Sequence, residues 1–558
     1  MTTSAELARR IRQARGLEPA DLVIKGARIL NVADGSITPG DVAITGDAVV
    51  GAYEDYDGRE VIDATGLVVA PGFIDTHVHL ESSLVSPFEF ERLVLPRGTT
   101  TAICDPHEIA NVLGLDGIRY VLDAARELTL SLFVNLSSCV PSSPLETSGA
   151  ELAAADLVTL RDHPGVLGLA EVMSFPTVLA EEPGVLAKLE AFQGRQIDGH
   201  APLLAGRDLS AYAAVGIRTE HEATGLDEAR EKLKKGMAIL LREGSVAKDV
   251  DALAPLLNDY TSARIAFCTD DRNPVEIQAE GHIDHAVRKA IAKGAPVPAA
   301  YRAASLTAAT VMGLRDRGLV APGYRADLVL LDDLEAVRVV DVVAGGRPFR
   351  AGAPRVETSG VGRGSIRRPP VTAAAFAVDA AGPVPTIGVR ANSLLTDRLE
   401  RNPEDQDVAR LAVLERHGRN GNIARAHVAG FGTLTGAIGL SVGHDSHNLS
   451  VLGRDSDDMA VAANRLIALG GGAVVVRGGE VVAELALPIA GLMSDRPHEE
   501  VAARLIAVHE AIARIGGELD EPVVQLAFLP LVVIPHLKLS DRGLVDVDRF
   551  AFVDPAAG

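Results

Sequence analysis

Two histidines separated by one residue, His77 and His79, follow the short apolar run Phe73–Ile74. In an extended chain the side chains at positions i and i+2 lie on the same side, so both imidazoles can bind one metal ion. Four further potential ligands lie at the ends of later apolar runs: Glu171, His200, His221 and Asp270. Mixed imidazole and carboxylate donors suit divalent zinc, manganese or iron. These six side chains predict a site for two divalent cations, with one carboxylate able to bridge them.

Such a site predicts a particular chemistry. Two divalent cations a few Å apart convert a shared water into hydroxide near neutral pH. The carboxylate of Asp270 is the best placed to take the proton of that water and pass it to a leaving group. Because the predicted ligands include no thiolate, an open catalytic site is favoured over a structural zinc site. The pattern therefore predicts hydrolysis at an electrophilic carbon.

Six other residues are weaker candidates for contacts to the substrate or to the ligands: Glu81, Ser82, His107, Asp271, His444 and His447. His107 either polarises the substrate or stabilises its loop, and Asp271 either orients Asp270 or pairs with Arg272. Helix capping is the alternative for Glu81 and Ser82. The His444-Asp445-x-His447 motif either covers the site, binds an extra metal ion or forms a structural turn.

The elements that must position these ligands lie between residues 72 and 313, where apolar β-prone runs alternate with helical patterns. Alternation over about 250 residues is typical of a (β/α)₈ TIM-like barrel, whose active sites lie at the carboxyl ends of the strands. An α/β fold with a doubly wound open sheet is the alternative. It is disfavoured because no glycine-rich phosphate-binding motif follows the first strand.

Short β-prone runs occur on both flanks of this segment, at 21–63 and at 320–349, and predict one small β-sandwich domain built from both flanks. Beyond a Gly- and Pro-rich linker, an additional C-terminal α+β domain is expected. The predicted divisions are 1–71 (N-terminal helix and first part of the small domain), 72–313 (barrel), 314–351 (second part of the small domain), 352–370 (linker) and 371–558 (C-terminal domain).

Composition excludes several classes of protein. The 558 residues include 54 Lys+Arg and 75 Asp+Glu, and the net charge of −21 disfavours nucleic acid as a partner. Three cysteines without a Cys-x-x-Cys pair argue against a disulfide framework and against a thiolate zinc site. The most apolar stretch, Val523–Leu539, is interrupted by two prolines, so it is predicted to form buried strands and not a membrane span. A cytoplasmic protein without a membrane partner is expected.

Several motifs resemble those of a known family. The segment at 71–79, PGFIDTHVH, resembles the opening motif of the amidohydrolase superfamily, and APGYRADLV at 321–329 resembles that superfamily's return to its small sheet domain. More narrowly, the chain resembles bacterial adenine deaminases in HLESS (79–83), DPHEIANV (105–112), AEVM (170–173), DGHAP (198–202), CTDDR (268–272), GHDSHN (443–448) and GLMS (491–494). The resemblance covers nearly the whole chain after the N-terminal helix.

The resemblance implies hydrolytic deamination of adenine to hypoxanthine and ammonia, in purine salvage or catabolism. It implies two divalent metal ions, with Mn²⁺ or Fe²⁺ favoured and Zn²⁺ possible. By analogy His77, His79 and Asp270 bind one ion, whereas His200 and His221 bind the other. Glu171 occupies the position at which many relatives have a bridging carboxylated lysine. Asp270, Glu171 and His200 are then the catalytic residues, and Asp270 transfers protons to the departing amine.

Two other functions compete with this hypothesis. An amidohydrolase acting on a different aminated heterocycle or on a cyclic amide would use the same metal ligands, because the pocket selects the substrate. A catalytically silent scaffold that binds metal or purine is disfavoured, since all six ligands are present. The expected partner is free adenine. Long amidohydrolases are often homo-oligomers, but the sequence predicts no interface.

Overall fold

The computed structural model describes residues 3–378, 382–391 and 393–555. The N-terminal region begins with the predicted helix, α1 (Ser4–Ala14), which starts with a capping box. In this box Thr3 Oγ1 accepts a hydrogen bond from the Glu6 amide, and the Glu6 carboxylate accepts one from the Thr3 amide. Five strands follow: β1 (Ala20–Leu30), β2 (Ile37–Thr45), β3 (Ala48–Ala52), β4 (Gly58–Asp63) and β5 (Val68–Pro71).

The middle of the chain alternates strands with helices, as predicted. Its strands are β6 (Phe73–Val78), β7 (Thr99–Cys104), β8 (Ser131–Leu136), β9 (Val166–Val172), β10 (Gln196–Gly199), β11 (Thr219–Glu220), β12 (Ala238–Arg242) and β13 (Ile265–Cys268). Its helices are α2 (Pro87–Val94), α3 (His107–Leu113), α4 (Leu115–Ala125), α5 (Ala154–Arg161), α6 (Phe175–Leu179), α7 (Pro183–Ala191), α8 (Gly206–Ala214), α9 (Leu226–Lys234), α10 (Val250–Leu253), α11 (Pro274–Glu280), α12 (Ile283–Ala292), α13 (Val297–Arg302) and α14 (Ala308–Val311).

These eight strands form two parallel sheets that curl towards each other. One sheet has the order β10-β9-β8-β7-β6 and the other the order β11-β12-β13. Beyond β13, the Asp270 amide donates to the His77 carbonyl (3.0 Å), and the Asp270 carbonyl accepts from the His79 amide (3.1 Å). The other edges of the two sheets are formed by β10 and β11. There the amide of Arg218, which directly precedes β11, donates to the Ile197 carbonyl in β10 (3.2 Å). The first and last strands of this region therefore lie side by side.

The two flanks of this region join in one sheet. Strands β14 (Leu328–Asp333), β15 (Arg338–Ala344) and β16 (Arg347–Pro348) return to the N-terminal strands, and β14 pairs with β5. The strands of both flanks belong to a single eight-stranded hydrogen-bonded network. Strand β1 connects its parts, because its 11 residues pair with β2, β4 and β5.

The C-terminal region contains a second eight-stranded sheet in the order β18-β17-β20-β19-β22-β21-β23-β24, and a small sheet of β25, β26 and β27. The strands are β17 (Val384–Val389), β18 (Thr396–Arg401), β19 (Val408–Leu414), β20 (Ile423–Ala429), β21 (Ala437–Leu440), β22 (Leu449–Gly453), β23 (Gly472–Arg477), β24 (Glu480–Ala486), β25 (Leu537–Ser540), β26 (Gly543–Asp546) and β27 (Ala551–Val553). The helices are α15 (Ser456–Leu469), α16 (His498–Arg514) and α17 (Pro522–Ala527).

The prediction of buried strands throughout Val523–Leu539 is wrong. The segment begins in α17 and continues without helix or strand until β25. Pro522 occupies the first turn of α17, a position that proline favours. Pro530 and Pro535 lack the amide that a strand ladder requires, so the backbone between α17 and β25 stays irregular.

Two further observations concern the chain as a whole. Among the helices in the described ranges, none combines the length and apolar character needed to cross a membrane. All three cysteines are described, and each is a free thiol: Cys104, Cys139 and Cys268.

Candidate metal centre

The parallel strands of the middle region bring polar side chains together where the strands end. His77 lies in β6 and His79 directly after it, and Glu171 lies near the end of β9. The remaining contributions are Asp105 and His107 after β7, His200 after β10, His221 and Glu222 after β11, Arg242 in β12 and Asp270 after β13. All of these side chains are buried. The structure thus brings all six predicted metal ligands into one cluster.

The two histidines of β6 face each other through their Nε2 atoms, which are 3.1 Å apart. His79 Nδ1 lies 3.1 Å from the Asp105 carbonyl, and His77 Nδ1 lies 2.9 Å from a carboxylate oxygen of Asp198. Each Nδ1 therefore faces an oxygen acceptor, which leaves Nε2, once it is deprotonated, as the atom that would bind a cation. Two nitrogens bound to one cation at about 2.1 Å would lie about 3.0–3.4 Å apart. The observed Nε2–Nε2 distance of 3.1 Å lies within this range.

Asp270 lies beside this histidine pair. Its Oδ1 is 3.0 Å from His79 Nε2 and 3.5 Å from His77 Nε2. The backbone of Asp270 is left-handed (φ 56°), a conformation that Asp tolerates better than most residues, and it is held by the two backbone hydrogen bonds to β6. The side chain is therefore directed to the histidines by the chain itself.

Glu171 lies between two groups of histidines. Its Oε1 is 3.3 Å from His79 Nε2, and its Oε2 is 2.7 Å from His200 Nδ1 and 3.3 Å from His221 Nε2. Burial would raise the pKa of Glu171, but hydrogen bonds to His200, His221 and His79 outweigh it and hold the pKa well below its usual range. One ionised carboxylate thus presents one oxygen to each group.

The donor set suits divalent cations. Burial opposes a positive charge on His77 and His79, yet the surrounding carboxylates outweigh burial and raise the pKa of both rings. The centre therefore attracts positive charge. Several groups of ligand atoms are compact enough to hold a cation, among them His77, His79 and Asp270, and His200, His221 and Glu222.

Glu222 and Arg242 extend the centre on one side. Arg242 Nη1 pairs with Glu222 Oε1 and donates to Asp270 Oδ2 (2.9 Å), while its Nε donates to Asp249 (3.0 Å). Burial would raise the pKa of Glu222, but the charge of Arg242 outweighs it and lowers the pKa. Arg242 consequently fixes one oxygen of Asp270 and leaves the other directed at the histidines.

His107 extends the centre on the opposite side. Its Nδ1 lies 3.0 Å from Asp105 Oδ2 and 3.5 Å from Glu171 Oε1. Burial opposes a charge on this ring, but the Asp105 carboxylate outweighs burial and raises the pKa of His107 to about 10. His107 therefore presents Nε2 as a hydrogen-bond donor.

The C-terminal region contributes to the lining of a cavity beside the centre, and the empty space of this cavity, part of which is open to solvent, is about 360 Å³. His444 is the main polar contribution: its Nδ1 lies 3.0 Å from Glu108 Oε1, and its ring stacks on Phe528 at 4.3 Å. The other lining residues from this region are Leu394, Asp445, Leu531 and Ile534. The cavity is thus polar towards the metal ligands and apolar on the opposite wall.

The remaining weak candidates lie at the margin. Ser82 donates to Asp271 Oδ1, and both line an adjacent apolar cavity, although Asp271 also reaches the first one. Glu81 accepts a hydrogen bond from the Ile109 amide (3.0 Å) and does not line the 360 Å³ cavity. His447 lies behind Glu108, with its Nε2 3.7 Å from Glu108 Oε2.

Nine residues that line the cavity were not predicted as site residues from the sequence: Glu108, Met173, Glu222, Arg242, Leu394, Asp445, Phe528, Leu531 and Ile534. Glu222 directly follows a predicted ligand, and Arg242 ends the apolar run of β12, so both follow the strand-end pattern that identified the ligands. Glu108 and Asp445 neighbour candidate histidines within the same motifs. Phe528 lies in irregular backbone, and no local pattern distinguishes it.

Comparisons with known proteins give a consistent result. Residues 68–349 match the amidohydrolase family, and residues 389–551 match the adenine deaminase C-terminal domain. An adenine deaminase of Methylobacterium nodulans is 57% identical over 559 residues, which cover 98% of this chain and 99% of that protein. One of Cereibacter sphaeroides is 57% identical over 553 residues, covering 97% and 98%.

Solved structures match the chain at lower identity. An adenosine deaminase from Xanthomonas campestris with bound zinc has a TM-score of 0.45 and 15% identity, and the match covers 59% of this chain and 93% of that one.

Proposed function

The chain belongs to the adenine deaminase family of the amidohydrolase superfamily, and from this premise we propose that it deaminates adenine at a centre of two divalent cations. It is a hydrolase, and its reaction converts adenine and water to hypoxanthine and ammonia. The position of Glu171 supports the binuclear centre most strongly, since its two oxygens face different groups of histidines.

We assign the ligands to two ions. His77, His79 and Asp270 would hold one cation, His200 and His221 would hold the other, and Glu171 would contact both. These are borderline nitrogen and hard oxygen donors, which favours Mn²⁺ or Fe²⁺ and also accommodates Zn²⁺. When bound, two such cations supply a hydroxide at neutral pH and polarise the substrate.

The side chains of the cavity perform the remaining steps. Asp270 takes the proton of the attacking water at its carboxylate and transfers it to N6, so that ammonia departs from C6. Arg242 keeps Asp270 ionised and oriented through the 2.9 Å hydrogen bond. His107 donates a hydrogen bond towards a ring nitrogen of the purine, and the apolar wall with Phe528 excludes bulk water from the bound base.

The architecture that supports this function is also a proposal. We infer that the eight parallel strands close into a (β/α)₈ barrel at 72–313, with the ligands at the carboxyl ends of its strands. The small β domain then comprises 1–71 and 314–351, residues 352–370 form the linker, and 371–558 form the C-terminal domain. This last domain would cover the barrel mouth with His444 and Phe528.

The test is ammonia release from adenine by the purified protein. Metal-replete protein should turn over adenine, chelation should abolish the activity, and added Mn²⁺ or Fe²⁺ should restore it. A panel of aminated heterocycles and cyclic amides, assayed in parallel, distinguishes adenine from other substrates. Metal-replete protein that hydrolyses a panel compound but not adenine would show that the substrate assignment is wrong.

A further inference from the structure

Lys538 in β25 is a buried amine. Its side chain has 0% exposure, and no carboxylate in the described part of the chain is paired with its Nζ. The Nζ instead donates to two backbone carbonyls, those of Leu394 (2.9 Å) and Phe528 (3.0 Å). Lys538 thus connects two segments that are distant in the sequence.

Such burial is unfavourable. Burial lowers the pKa of Lys538 to about 7, which reflects the cost of removing an ammonium from water. An apolar residue of similar length, such as methionine, would fill the same volume without that cost. The feature that distinguishes lysine here is its ability to donate to both carbonyls.

Both carbonyls belong to residues that line the substrate cavity. Leu394 and Phe528, with Leu531 and Ile534, form its apolar wall. The segments 393–395 and 528–536 contain neither helix nor strand. Turn-type bonds such as that from the Leu531 amide to the Phe528 carbonyl (3.3 Å) fix 528–536 locally, whereas the Lys538 bonds link the two segments to each other. A second hydrogen bond holds the segment 393–395, because Gln525 Nε2 donates to the Ser393 carbonyl (2.8 Å).

The contacts continue from the wall to the polar side of the cavity. The Phe528 ring stacks on His444 with an interplanar angle of 5°, and His444 Nδ1 lies 3.0 Å from Glu108 on α3. A shift of the Phe528 backbone would therefore change both the apolar wall and the position of His444.

We propose that Lys538 is a positioning residue that holds the wall of the adenine cavity through the Leu394 and Phe528 carbonyls. The proposal rests on the proposed function, because the cavity must be the adenine site. Lys538 contacts neither the metal ligands nor the cavity itself, so its effect is on substrate binding more than on the chemical step.

The experiment compares Lys538→Met with a matched control, Arg368→Met. Arg368 also donates to two backbone carbonyls of the C-terminal region, those of Glu415 (2.8 Å) and Asn422 (3.0 Å). Neither Glu415 nor Asn422 lines the cavity. We expect Lys538→Met to raise KM for adenine about tenfold with kcat within about threefold of the parent, whereas Arg368→Met leaves KM unchanged. Lys538→Gln keeps an N–H donor and should recover part of the loss.

Each outcome decides the question. An unchanged KM in Lys538→Met, or a loss confined to kcat, would overturn the proposal, as would an equal rise of KM in Arg368→Met. If Lys538→Met does not fold, Lys538→Gln and Gln525→Leu take its place, and an unchanged KM in both is the contrary result. The parent protein is assayed in parallel, and its failure to deaminate adenine would contradict the proposed function instead.

Discussion

Asp198→Asn tests how the first histidine is prepared for a metal ion. Asp198 Oδ1 accepts hydrogen bonds from the Gly199 amide (2.9 Å) and from Thr219 Oγ1 (2.5 Å), while Oδ2 faces His77 Nδ1. In the asparagine variant the Gly199 amide and the Thr219 hydroxyl still need an acceptor, so the side-chain oxygen of asparagine should occupy the Oδ1 position. The amide nitrogen must then face His77, which favours the ring tautomer with its proton on Nε2. That proton would occupy the direction in which a cation binds.

The magnitude follows from two contributions. Loss of a carboxylate that orients a metal-binding histidine weakens metal affinity by about 10–100-fold, and Asp198→Ala should show this loss alone. In Asp198→Asn, a cation can bind His77 Nε2 only if the ring proton returns to Nδ1. The buried Nδ1–H would then face the N–H of the asparagine amide, which costs about 1–3 kcal/mol more. We therefore expect asparagine to weaken Mn²⁺ binding about 5- to 150-fold beyond alanine. The assay is competition with a chelator, followed by metal analysis. Equal or tighter Mn²⁺ binding by the asparagine variant would refute the tautomer argument.

Two further predictions concern Glu171 and His509. Glu171→Gln removes the negative charge that faces both histidine groups, so the variant should retain at most one cation per chain. Two tightly bound cations with normal turnover of adenine would contradict the bridging role. His509 on α16 has an unpaired Nε2, and burial lowers its pKa to about 4. Only the unfolded chain binds its proton between pH 6.5 and 4, so acidification from pH 7 to 5 should cost about 2 kcal/mol of the free energy of unfolding. Urea unfolding at both pH values should show a smaller loss for His509→Leu, and an identical loss would exclude this cause.

Much of the candidate site could be predicted because its ligands follow a local pattern. His77, His200 and Asp270 each lie at the end of an apolar run, and parallel strands bring such ends together. The same pattern applies to Arg242 at the end of β12. Its role depends on carboxylates from other strands, Glu222 and Asp270, which no local spacing indicates.

The covering wall could not be predicted in this way. Phe528 and Leu531 lie in irregular backbone after α17, where a run of apolar residues resembles a buried strand. The prolines at 530 and 535 are the local signal against a strand. The contact between His444 and Glu108 joins the C-terminal region to α3, and only tertiary packing creates it.

The most direct test of the binuclear centre is a titration of metal-free protein with Mn²⁺, monitored by ammonia release from adenine and by bound metal per chain. Activity should rise until two Mn²⁺ ions are bound to each chain and then remain constant. Full activity with a single bound ion, or none with two, would contradict the assignment of His77, His79, Glu171, His200, His221 and Asp270 to a pair of cations.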